Sequence, residues 1–347
     1  MTARLALLSV AASALAGCSG STTMLPPRVQ PQDSGTDQLL IAAHAVSDQT
    51  VWVSGAGGTV GRTTDGGATW RLAVVPGADT LQFRDVVAFD AETAWALSIG
   101  PGASSRIVKT DDGGASWRTV FVNDEPEAFF DCLSFWSPTR GLAYSDSVDG
   151  RIVIVVTDDG GESWRRVPAA GLPEAGAGEG GFAASGTCVA TRGADRAWIA
   201  TGNADPARVL RTVDGGRTWS AATAPVVAGE AKGLASVTFR DDQHGVAVGG
   251  DIGDRNADVD AVARTLDGGR SWVPGGRLPF SGAAYGAAYV PGSRALIAVG
   301  PGGAAVSRDD GQTWSLLDER TWWGVAAAGP DAIWLTGPDG RIVRVRL

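Results

Sequence analysis

Residues 109–117 read KTDDGGASW, and residues 156–164 read VTDDGGESW. Written as Ser/Thr-x-Asp-x-Gly-x-Ser/Thr-Trp, the shared pattern recurs at 63–70 (TTDGGATW), 110–117, 157–164, 212–219 (TVDGGRTW), 265–272 (TLDGGRSW) and 307–314 (SRDDGQTW). The tryptophans that end these six copies are 47, 47, 55, 53 and 42 residues apart. Self-similarity at a period of about 40–50 residues is the mark of a propeller or a linear array of repeated units.

Around each copy the sequence has the same order of short apolar or alternating runs. A run such as RIVKT (106–110) or RVLRT (208–212) leads into the pattern. It is preceded by a second run, as in TAWALSIG (93–100) or RAWIATG (196–202), and by a third, as in DVVAF (85–89) or SVTF (236–239). A short run such as RTVF (118–121) follows the tryptophan. Runs of this kind bounded by Gly, Asp and Pro are strands, and four of them per repeat make one propeller blade. The repeated peptide is then the hairpin turn between the third and fourth strands. Its Asp accepts backbone N–H groups, its glycines supply positive φ, and its tryptophan carries apolar surface into the blade.

The predicted fold is therefore all-β, a seven-bladed propeller of four-stranded antiparallel blades over 39–347, with a six-bladed ring and a stray tail as the alternative. The predicted blades span 39–76, 81–123, 128–168, 182–224, 233–275, 283–318 and 320–347. The last has three strands, so its outer strand has to come from residues 24–29 or 37–40 if no raw edge is to remain.

Ahead of the repeats, Arg4 precedes an apolar stretch from Leu5 to Leu15 that ends Leu15-Ala16-Gly17-Cys18. A short basic region, a short apolar region and small residues before a cleavage point describe an export signal. It is too short to span a bilayer, which takes about 20 residues. Its Leu-Ala-Gly-Cys end resembles a bacterial lipoprotein signal, which implies removal of 1–17 and a lipid on Cys18. Residues 18–38 read as a polar, proline-containing linker, part of which could close the last blade. Ser19 suits a periplasm-facing outer-membrane lipoprotein. The lipid is the only expected membrane attachment.

The six turns resemble the Asp-box, the repeat of bacterial neuraminidases. Together with inner stretches such as VTFRDDQHGVAVGG (237–250), they give the chain a resemblance to the photosystem II stability/assembly factor-like propellers. That resemblance implies a non-catalytic scaffold that binds an envelope protein or protein complex.

A formal charge of −9 argues against nucleic acid, since phosphate binding needs clustered Lys and Arg. No GxGxxG follows a strand and no CxxC, haem or iron–sulfur pattern appears, so no cofactor is expected. Cys132 and Cys188 either pair or stand as two buried thiols. His44 and His244 are far apart and lack zinc spacing. The run DRNADVD places Asp254, Asn256, Asp258 and Asp260 at alternate positions, as a calcium loop does, but lacks the glycine and glutamate of the helix–loop–helix type.

In a propeller the blade-to-blade crossings and the loops between second and third strands share one face, the mouth, opposite the repeated turns. Asp131, Asp146 and Glu179 fall there and are the candidates for acid–base work on a glycoside. Asp149, Asp251, Trp322 and Trp323 are the candidates for binding a protein or a glycan. A typical sialidase is not indicated: the chain has no Arg-Ile-Pro, and Tyr144, Tyr285 and Tyr289 have no recognisable glutamate partner. The weight falls on binding rather than catalysis. A glycoside hydrolase or carbohydrate-binding propeller is the alternative.

Overall fold

In the computed structural model, which describes residues 27–347, each of the six repeated turns closes the third strand of a sheet onto its fourth. The hydrogen bonding is the same in every copy. In the first, Thr63 Oγ1 donates to Asp65 Oδ1 (2.8 Å) and accepts the Gly67 N–H (2.9 Å). The Asp65 carboxylate accepts the Thr69 N–H (2.8 Å) and hydroxyl (2.6 Å). The aspartate holds the backbone on one side of the turn and the first Thr or Ser holds it on the other. Gly66 and Gly67 sit at φ +70° and +88°, where a Cβ is disfavoured. The last copy has Asp310 in place of the first glycine, at φ +60°. Its carboxylate is held by Arg240 (2.6 Å), Arg294 (2.7 Å) and the Tyr289 hydroxyl (3.3 Å), which compensates for the unfavourable backbone.

Seven four-stranded antiparallel sheets result. They span 40–74, 83–122, 130–166, 189–223, 232–274 and 286–318, and the seventh joins 324–346 to the strand Arg28–Gln32. This is the seven-bladed propeller that the repeat predicts, and the six-bladed alternative is excluded. The fourth strands of the third and fifth blades shrink to Arg165–Arg166 and Val273–Pro274. The closing strand runs antiparallel to Ile342–Arg346, with Arg28 opposite Arg346 and Gln32 opposite Ile342. It overlaps the 24–29 segment and lies ahead of 37–40. Residues 28–32, read as linker, are thus part of the ring. The signal at 1–17, Cys18 and the linker up to residue 26 lie outside the described residues.

The core follows from the alternation of the strands. Seven apolar clusters form, one at each blade-to-blade interface. The second-strand tryptophans Trp52, Trp95, Trp198 and Trp334 are fully buried in them. Three donate their indole N–H across the interface to the next blade: Trp52 to Asp90 O (3.0 Å), Trp95 to Gly160 O (2.9 Å) and Trp198 to Gly268 O (2.9 Å). Two of those acceptors are carbonyls of the repeated turn. The turn therefore fastens its own hairpin and also caps the neighbouring blade, which satisfies a polar atom that burial would otherwise penalise. Cys132 and Cys188 form a disulfide with Cα atoms 6.0 Å apart, joining the innermost strand of the third blade to the entry of the fourth.

Candidate functional site

The mouth is built from the crossings, and one of them does more than cross. Residues 183–187, in the long connection between the third and fourth blades, extend over the central channel. On one side Arg84 of the second blade donates Nη1–H to Ala183 O (2.8 Å). On the other, Ser185 Oγ donates to Tyr285 O at the entrance of the sixth blade (2.7 Å). Gly186, at φ +74°, lies flat on the Asp85 carboxyl of the second blade, where a Cβ would come within 2.6 Å of Oδ1. The second and sixth blades face each other across the ring, so this segment plugs the channel at its mouth end.

The three candidate acids lie in and against the segment 176–181 that leads into the plug, and the structure brings them together. The Asp131 and Asp146 carboxyls are buried neighbours, an arrangement that favours a proton on one of them. Burial first, and then the charge of Asp146, push the Asp131 carboxyl well above its ordinary range. Burial also raises Asp146, which accepts the Gly181 N–H (2.9 Å). Asp131 Oδ2 and the Tyr144 hydroxyl are buried without a hydrogen-bond partner among the described residues. Burial and the three neighbouring acids raise the Tyr144 phenol. Glu179, with 1% of its surface exposed, accepts the Thr201 hydroxyl (2.7 Å) and the Gly176 N–H (2.7 Å), and it pairs with Arg208. Gly180 and Gly181 press directly on these carboxyls; a Cβ on Gly180 would fall 1.9 Å from Asp146 Oδ1.

This geometry does not suit glycoside hydrolysis by these acids. Acid and base or nucleophile have to stand about 5–9.5 Å apart across a sugar. Here two carboxyls are buried neighbours and the third is bound by arginine, all covered by residues 176–181. Their role is to hold residues 176–187 in place.

The tryptophan pair divides. Trp322 is fully buried between the sixth and seventh blades, bonds Asp318 Oδ1 through its indole N–H (3.2 Å), and carries Arg320 and Arg341 at 5.0 and 5.5 Å from its ring. It is core, and the expectation that it contacts a partner is corrected. Trp323 is half-buried at the mouth. The Arg84 guanidinium lies 5.3 Å over its ring, and Tyr285 meets it edge-on at 4.9 Å. Arg84 makes no ion pair among the described residues.

The remaining candidates lie elsewhere. Asp149 is exposed at the tip of the 148–151 hairpin, at φ +51°, beside a side groove lined by Glu125, Arg151 and Arg166. Asp251 pairs with Lys232 (3.4 Å) and accepts the Gly253 and Asp254 N–H groups. Two of the weak calcium candidates have other partners: Asp254 caps the Asn256 N–H (2.9 Å) and Asp258 pairs with Arg277 (2.5 Å). Among the described residues no three His, Cys, Asp or Glu converge on a metal position.

Sequence reading missed Arg84, Tyr285 and the plug. Arg84 and Tyr285 carry no motif, and their meeting with Trp323 depends on ring closure. The plug had a signal in GEGGF at 178–182, where consecutive glycines mark a close approach of backbone to another group.

No protein-family model matches this chain, and no curated protein matches it by sequence. Solved structures do match. YCF48 bound to D1 peptide is 14% identical, with a TM-score of 0.61 over 96% of this chain and 100% of that one. YCF48 from Cyanidioschyzon merolae is 16% identical, with a TM-score of 0.64 over 92% of this chain and 98% of the other. U3-55K is 12% identical, with a TM-score of 0.65 over 93% and 98%. At these identities the chain shares with them the seven-bladed propeller fold.

Proposed function

We propose that this protein is a non-catalytic scaffold that binds a segment of another protein at its mouth. The observation that carries the reading is the half-buried Arg84–Trp323–Tyr285 group. An aromatic pair under a guanidinium that lacks a carboxylate partner is a typical interface anchor. It suits a carboxylate or carbonyl of a bound segment. That YCF48, a propeller of the same fold, holds a peptide supports the reading.

In the same proposal the chain is exported and tethered through lipid on Cys18, facing the periplasm from the outer membrane. The disulfide supports an oxidising compartment. Arg28 pairs with Arg346 at the end of a third strand, so the closing strand starts on the face of the repeated turns. A tether ahead of residue 27 leaves from that face, and the mouth points away from the bilayer.

The test is crosslinking and co-purification from the native envelope, comparing the unaltered chain with Trp323→Ala and Arg84→Ala. One stoichiometric protein partner, lost in both variants while their thermal melts stay unchanged, is the expected result. A partner retained in both variants would move the interface off the mouth. Recovery of the chain in the soluble periplasmic fraction would remove the lipid tether.

A further inference from the structure

We propose that the central channel, on the side of the repeated turns, is a binding pocket for a small neutral polyhydroxylated molecule of about monosaccharide size. The site is separate from the mouth, because the plug divides them.

The channel encloses a cavity of about 480 Å³, and Gly186 and Thr187 of the plug form part of its wall. The pocket is therefore blind at the mouth end and is reached from the face of the repeated turns. Its volume lies in the range of small-molecule sites, about 300–1,000 Å³, and exceeds what one or two structural waters would fill.

The wall defines the ligand chemistry. Its polar side chains are His44, Asp85, Ser134, Thr187, Thr191 and Thr238, and the rings of Phe89, Phe135 and Phe239 add apolar surface. Among the described residues no Lys, Arg or Glu lines it. Asp85 is 2% exposed and accepts the Leu133 N–H through Oδ2 (2.7 Å). Burial raises its carboxyl well above the ordinary range, which favours the neutral, protonated form that can donate a hydrogen bond. His44 is lowered to about 4 by burial and is a neutral imidazole there, with one ring nitrogen able to donate and the other to accept. The Ser134 and Thr191 hydroxyls bond each other (3.0 Å), and Thr187 bonds Ser236 (2.7 Å). Each hydroxyl keeps acceptor capacity. The pocket thus offers uncharged donors and acceptors beside apolar rings. An ion entering it would lose its hydration without meeting an opposite charge, whereas a sugar matches both the polar groups and the rings.

Saturation-transfer NMR on the purified full-length chain tests this. The probes are glucose, galactose, N-acetylglucosamine and trehalose, with inorganic phosphate and putrescine as charged comparisons. Transfer to at least one neutral sugar and to neither ion is expected. Ala190→Leu, which fills the pocket, and Asp85→Val, which removes the donor, should each weaken that sugar at least tenfold. Asp85→Asn, which keeps an uncharged donor and acceptor, should retain it. Thermal melts verify folding, and Ala190→Leu serves alone if Asp85→Val does not fold. Absence of transfer from every neutral sugar overturns the proposal, as does undiminished transfer in Ala190→Leu or preferential binding of either ion. Trp323→Ala should leave sugar transfer unchanged, so this pocket and the mouth fail independently.

Discussion

Asp131 illustrates how a single residue couples the fold to pH. Its carboxyl is raised by burial and by Asp146. An acid whose folded value lies above its unfolded value of about 3.9 holds its proton longer in the folded state. That contribution to stability is complete below pH about 4 and is lost as pH rises through the folded value. His44 acts in the opposite direction. Lowered to about 4 from 6.5, it contributes nothing adverse above pH 6.5 and costs stability as pH falls from 6.5 towards 4. Between about pH 4 and 6.5 the two slopes therefore oppose each other. Asp131→Asn keeps a donor for Asp146 without an ionisable proton, so its urea-unfolding midpoint should decline less than that of the unaltered chain as pH rises above about 4. Equal slopes would rule out a proton held between the two carboxyls. The exposed turn aspartates Asp65, Asp112 and Asp159 are held to about 2 by their Thr and Ser partners, so those turns weaken only in strong acid.

At the scale of the element, the closing strand Arg28–Gln32 joins the two ends of the chain. Besides its ladder with Ile342–Arg346, it reaches the first blade through Gln32. The Gln32 amide donates to Gly66 O (3.0 Å) and accepts the Trp70 indole N–H (3.1 Å). Gln32→Ala removes both bonds and leaves a partly buried indole N–H and a carbonyl to find other partners. The expected cost is about 1–3 kcal/mol, read as a lower urea midpoint. An unchanged midpoint would show that the ladder alone secures the seam. The need for this strand was legible in the sequence, because the three strands that follow the sixth blade leave an edge. Its identity was less so: RVQPQ carries a proline, tolerated here because the strand is an outer edge.

For the whole molecule, stability is spread around a ring of similar interfaces, and the disulfide reinforces the one beside the plug. Cys132 and Cys188 are 56 residues apart in sequence. Closing a loop of that size in the unfolded chain contributes about 4 kcal/mol in the chain-entropy description. Cys132→Ala with Cys188→Ala should lower the unfolding free energy by up to that amount, and hydrogen exchange should rise first in residues 176–187, the segment next to Cys188. Faster exchange spread evenly over all blades would show that the bond does not specifically secure the plug. The sequence by itself determined the propeller architecture, the strand order and the turn geometry, because each depends on local spacing that repeats, whereas the choice of seven blades over six rested on ring closure by the Arg28–Gln32 strand. Only the tertiary structure decided which acids are neighbours, that Trp322 is core while Trp323 is at the mouth, and that residues 183–187 close the channel. Those facts depend on contacts between blades far apart in the chain, such as Arg84 with Ala183 and Ser185 with Tyr285, which no local pattern encodes.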